Sequence, residues 1–254
     1  YLITARHIHD TVSTVDGLDD QSQKKVNFYT RQYIDALSPS NFAMTNPEVF
    51  RETVKSHGQN LIKGLNNLLR DVEEGDGNLR VKMTDTTAFE LGRNVATTPG
   101  KVVFQTDMMQ LLQYTPSTPD ALKRPLLIVP PWINKFYILD LNPKKSLVRY
   151  LLDQGLDVFI TSWKNPGEDM RDVRFDDYLI EGVQSLVDTA RAVSGSVKVH
   201  AIGYCIGGTA LTTYMAWANR HYAEEDVPVA HCTLFTTLVD FHKPGDIEVF
   251  VDEG

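Results

Sequence analysis

The sequence predicts an α/β fold, with a mainly parallel sheet covered by helices and a helical region ahead of it. Three observations carry that expectation. From residue 125 onward, short apolar runs alternate with stretches of helical spacing, as in strand–helix–strand units. Near residue 100 the apolar period changes from that of a helix to that of a strand. Residues 197–211 read as a strand, a glycine-flanked turn and a helix in direct succession.

Composition bounds the possibilities. The chain has 254 residues, 42% hydrophobic and 23% charged, which is ordinary for a globular protein. Its net charge of −8, with no long basic run, leaves no electrostatic footprint for nucleic acid. No apolar run is long enough to span a bilayer, and the first residues do not read as a signal peptide. Two cysteines, Cys205 and Cys232, fit a reduced, cytoplasmic setting. No metal-ligand cluster and no cofactor motif is read.

In chain order, Val26, Tyr29, Tyr33 and Leu37 recur at helical spacing, and Ser38-Pro39-Ser40 ends that helix. Asn46 caps the next, with Pro47 at its first position and Glu48 after it. The apolar face expected there is Phe50, Val54, Leu61, Leu65 and Leu68, in one helix weakened by Gly58 and Gly64. Residues 73–78 are a solvated turn. A helical N-terminal region is therefore assigned to residues 1–92 and a catalytic core to 93–254. Within the core, residues 101–106 read as a strand paired with 111–114. The run from Pro125 to Pro130 reads as a strand buried on both faces. A helix is expected to start at Asn142-Pro143 and to carry Leu147, Val148, Leu151 and Leu152. A strand over 156–163, a helix over 176–193 and a last strand over 229–239 complete the reading.

Gly203-Tyr204-Cys205-Ile206-Gly207 is a G-x-C-x-G pattern, the nucleophile elbow of α/β-hydrolases with Cys in place of Ser. The turn needs its glycines, because a Cβ at Gly203 or Gly207 would crowd the strand and helix packed there. Gly208 supplies a third. A thiol at a helix N-terminus meets unpaired N–H groups and the positive end of the dipole, which favour a thiolate. The N–H of Ile206 would face an oxyanion, and the loop after the third core strand would add the N–H of Trp132 or Ile133. Pro131 has none to give. Trp132 either stacks over the pocket mouth or is a core aromatic.

A thiol nucleophile wants a base, and the base an orienting acid. The 49 residues after Cys205 hold His221, His231 and His242. His221 stands at the far end of the elbow helix, about 24 Å away at about 1.5 Å per residue. His231 lies inside a strand. His242, and Asp240 before it, follow a strand's C-terminal end, where catalytic residues gather, so both are weak candidates. No complete triad is legible. Lys135, Lys144, Lys145 and Arg149 read as a solvated face more than as a phosphate site.

At these residues the chain resembles polyhydroxyalkanoate synthases, acyltransferases that polymerise (R)-3-hydroxyacyl-CoA. Residues 203–209 look like that family's modified lipase box, 129–141 like its oxyanion loop and 161–166 like the segment after its fourth strand. Residues 103–111 and the N-terminal helices also look like the family, most like the single-subunit synthases. The resemblance implies that Cys205 takes the acyl group from CoA as a thioester, which the hydroxyl of a second unit attacks. CoA thioester is then substrate, and no cofactor is needed. It implies a homodimer in the full-length enzyme, at the surface of polyester granules in the cytoplasm, with phasin-like proteins as partners. It further implies that the catalytic Asp and His, the cap and the last strands lie downstream of Gly254, so that these 254 residues alone are expected to be inactive or nearly so. Two other readings are a Cys-dependent thioesterase or esterase of the same fold, and a granule-binding piece without catalysis.

Overall fold

The computed structural model describes residues 1–251. They divide into two compact units, residues 1–85 with 242–251, and Thr86–Phe241. Packing thus places the first division seven residues before the expected 92/93, and the last residues group with the helices and not with the sheet. Of that final segment, Gln21 Nε2 donates to the Val251 carbonyl at 2.7 Å, Lys24 meets Glu248 at 2.9 Å, and Phe28 meets Phe250 edge-on.

The helical unit contains α1 (Leu2–Ser13), α2 (Asp20–Ala36), α3 (Pro47–Lys55) and α4 (Gln59–Glu74). Asp19 caps α2 through the Ser22 N–H, and Asn46 caps α3 through the N–H groups of Glu48 and Val49, as its sequence predicts. The expected single helix after Asn46 is instead two. Gly58 adopts φ +83°, a left-handed conformation that ends one helix and starts the next. None of these four helices buries a residue completely, and Phe50, Val54, Leu61, Leu65 and Leu68 all remain exposed. Among the described residues no helix is long and apolar enough to cross a membrane.

The other unit is built on a six-stranded sheet. Its strands are β1 (Gly100–Gln105), β2 (Met109–Tyr114), β3 (Leu126–Val129), β6 (Val158–Trp163), β7 (Val199–Tyr204) and β8 (Val229–Phe235), while β4 (Asp140–Asn142) and β5 (Lys145–Ser146) form a small separate hairpin. The order is β1-β2-β6-β3-β7-β8, with β1 and β2 antiparallel and the other four parallel. That is the α/β-hydrolase arrangement: the antiparallel edge comes first, and β3 and β6 exchange places relative to chain order.

The β3 run Leu126, Leu127, Ile128 and Val129 is fully buried, as a continuous apolar run in a central parallel strand should be. One face packs under Leu186, Val187 and Ala190 of α7 (Ser185–Ser194) and Leu211, Tyr214 and Ala218 of α8 (Ile206–His221). The other packs under Val148 and Leu152 of α5 (Leu147–Asp153).

Three expectations need correction. The helix expected from Asn142 starts at Leu147, capped by the Ser146 hydroxyl, because residues 140–146 are taken by the hairpin. The helix over 176–193 starts as a single α-turn, α6 (Phe175–Asp177), and widens into a π-turn at Tyr178–Gln184 before α7. The last strand ends at Phe235, where Thr236 takes a positive φ of 43°.

On β7, burial, the charge of Arg124 and the neighbouring His231 hold the His200 pKa below its usual value. An unfolded chain lacks that environment and binds the proton more tightly. Stability is therefore expected to be full above about pH 6.5 and to fall as the pH drops through the lowered folded-state value. Urea midpoints from pH 7.5 to 5 check this, with His200→Gln flattening the acid limb.

Candidate functional site

β7 hands over to α8 at Cys205, whose φ of 55° and ψ of −126° are rare for a residue with a side chain. Such strain persists only where the surroundings fix it. Here the Cys205 N–H donates to the Phe235 carbonyl at 2.9 Å, and its own carbonyl accepts from Gly208 and Thr209 at 2.9 and 3.2 Å. The bracketing glycines are required sterically. A Cβ on Gly203 would overlap the Gly208 Cα, one on Gly207 would strike the Val129 and Pro130 carbonyl oxygens, and one on Gly208 would strike the Thr237 side chain. These contacts also show what the elbow leans on: the end of β3, its own strand, and the segment after β8.

Cys205 is exposed and its thiol is free, as is that of Cys232. It opens on a cleft of about 450 Å³ lined by Phe175, Ile206, Thr209, Thr213, Leu238 and Phe241, among others. Ile206 and Gly207 are the first residues of α8, so their N–H groups have no acceptor within the helix and mark its positive end. The arrangement sets a thiol beside helix N–H donors at the mouth of a largely apolar cleft. It suits attack on a carbonyl carried by an apolar chain.

The loop after β3 meets the elbow through Gly207. Its start is pinned by the buried Trp163 indole N–H, which donates to the Pro130 carbonyl at 2.9 Å. Trp132 stacks on Tyr178 at 4.7 Å and meets Trp163 edge-on at 5.9 Å. This is the arrangement of a core aromatic and not of a ring over the pocket mouth. The π-turn makes room for this cluster at Gly182, where a Cβ would sit 3.1 Å from the Trp163 ring. Ile133 is 76% exposed. Farther on, the Asp140 carboxylate is wholly buried and accepts from the hydroxyls of Thr98 and Ser146, both at 2.6 Å, and from the Thr98 N–H at 3.3 Å. It anchors the far end of the loop. Asp140→Ala leaves two hydroxyls unpaired and is expected to lower stability by about 3 kcal/mol, read from urea unfolding.

The base candidates are dispersed. His242 belongs to the helical unit, where it lines a cleft of about 610 Å³ with His9, Lys24, Arg31 and Lys243. Asp240 is exposed, two residues past Leu238 of the Cys205 cleft. His221 stacks on Trp217, and its Nδ1 lies 2.8 Å from that residue's carbonyl. His231 pairs with His200. Among the described residues no histidine lines the Cys205 cleft. Lys135 reaches Asn165 at 2.6 Å, and Lys144 and Lys145 sit at the hairpin, on exposed positions. The walls Phe175, Leu238 and Phe241 had no sequence signal, since the fold alone brings them to the elbow.

Residues 1–151 match the family profile described as "Poly-beta-hydroxybutyrate polymerase (PhaC) N-terminus". Among similar proteins, a poly(3-hydroxyalkanoate) polymerase of Methylorubrum extorquens is 48% identical over all of this chain and 42% of its own length. The poly(3-hydroxyalkanoate) polymerase subunit PhaC of Cupriavidus necator is 43% identical over the whole chain and 42% of its own length. The chain thus spans about two-fifths of the length of these relatives. Among solved structures, a fungal esterase from Rhizomucor miehei overlaps 65% of this chain and 51% of its own, with 15% identity and a TM-score of 0.44. Epoxide hydrolase A from Mycobacterium thermoresistibile overlaps 54% and 38%, with 14% identity and a TM-score of 0.36.

Proposed function

The chain belongs to the poly-beta-hydroxybutyrate polymerase family, and from that premise we propose that it carries the nucleophile of a polymerase acting on (R)-3-hydroxyacyl-CoA. The observation that carries the proposal is the strained, exposed Cys205 at the head of α8, facing a cleft with apolar walls. In this reading the Cys205 sulfur attacks the thioester carbonyl. The Ile206 N–H, with that of Trp132 or Ile133, holds the negative oxygen of the tetrahedral intermediate. The carbon–sulfur bond to CoA breaks, CoA leaves as its thiol, and the acyl group stays on Cys205. The hydroxyl oxygen of a second hydroxyacyl unit then attacks that carbonyl, forming the ester and restoring the thiol as the hydroxyl proton passes to a base. No histidine lines the cleft among the described residues, so the base and its acid are assigned to the further length that the relatives possess.

The exposed apolar faces of α3 and α4 support a second role, seating the protein on a polyester granule or on phasin-like proteins. Such binding is expected to survive Cys205→Ala. Dimerisation of the longer enzyme and placement at the granule surface in the cytoplasm belong to the same proposal.

Incubating the 254-residue chain with (R)-3-hydroxybutyryl-CoA and following mass and free CoA tests it. The expected result is one acyl group on Cys205, CoA released in proportion, and no sustained turnover. Continuous release of free acid, lost in Cys205→Ala, favours a thioesterase. Sustained polymer formation overturns the assignment of base and acid to the further length.

A further inference from the structure

β7 and β8 run in parallel with Val199 opposite Val229, and then the register slips so that His200 faces His231. Two residues of β8 advance against one of β7. A regular ladder would set Ala230 opposite His200 and turn His231 to the other side of the sheet. Bulges are rare in parallel pairs, and their usual effect is to re-aim a side chain. The effect here is to bring two imidazoles together, with Nδ1 atoms 3.2 Å apart and ring planes inclined by 41°.

That spacing has a chemical meaning. Two nitrogens each about 2.1 Å from one cation, at angles between octahedral and tetrahedral, lie about 3.0–3.4 Å from each other. The charge of Arg124 acts on His200 and opposes a cation, which limits affinity. Imidazole pairs select zinc, nickel and copper over magnesium or calcium.

We propose that His200 and His231 form a two-imidazole site for a divalent first-row transition-metal ion, with water in the remaining positions. The pair stands about 16 Å along β7 from Cys205, five residues at about 3.3 Å each, so this is not part of the thiol site. A bound ion clamps β8 to the strand that presents the elbow and raises stability by mass action.

Calorimetric titration of the 254-residue chain with NiCl₂ or ZnCl₂, both thiols alkylated first, tests the proposal. The expected result is one ion per chain, bound at least tenfold more weakly by His200→Asn and by His231→Asn and unchanged in His221→Asn. The thermal midpoint should rise with ZnCl₂ in the parent and stay fixed in the two variants. Copper(II) loaded on the parent should show coupling to two nitrogens by electron paramagnetic resonance, a readout that does not depend on how well the variants fold. Equal affinity in the parent and both variants, or copper bound through other than two nitrogens, overturns the site and leaves a hydrogen-bonded histidine pair.

Discussion

Cys205→Ala is expected to reduce acyl capture from (R)-3-hydroxyacyl-CoA to background, a loss on the order of 10³-fold or more, with little change in stability. The side chain is exposed and fills no space in the core, so its removal leaves no cavity. The strained backbone is held by the Phe235 carbonyl and by two bonds into α8, none of which uses the sulfur. Intact-mass kinetics with the acyl thioester, beside a urea melt of each protein, separate the two effects. Acylation that persists at another residue would mean that the elbow is not where chemistry begins.

Gly207→Ala is expected to carry a large structural penalty for a single methyl group. The new Cβ would meet two backbone carbonyl oxygens at the end of β3, which cannot rotate out of the way as a side chain can. Overpacking of this kind costs about 1–3 kcal/mol, and here the lower part of that range is excluded by the rigidity of the obstacle. A melting point several degrees lower follows for a unit of this size. Gly64→Ala is the matched contrast. Its Cβ in α4 meets nothing within 4 Å. The exchange should therefore stabilise by about 1 kcal/mol through helix propensity alone. Differential scanning calorimetry of the two variants checks both signs.

The elbow was legible because its demand is local: a strand, a strained residue and glycines at fixed offsets leave a pattern in five consecutive letters. The same holds for Asn46-Pro47-Glu48, whose cap forms as the pattern implies. The alternation of elements also gave the sheet and its mainly parallel sense. What escaped depends on partners far away in the chain. The 140–146 hairpin is fixed by Asp140 reaching Thr98, 42 residues back, where the local Asn-Pro suggested a helix start. The π-turn answers to Trp163, which no periodicity in 178–184 reveals. The cleft wall at Leu238 and Phe241 exists because the Thr209 hydroxyl holds the Leu238 carbonyl at 2.7 Å. The break at Gly58 was half visible: glycine signalled weakness, but its left-handed geometry ended the helix outright.

The contact between Trp163 and Pro130 has a spectroscopic consequence. One indole is sealed from water and tied to the loop that follows β3, while the indole two residues along that loop is half open to water and lies face to face with a phenol ring. With the third indole removed by Trp217→Phe, the emission of these two should differ in wavelength and in quenching, giving an intrinsic optical gauge of that loop.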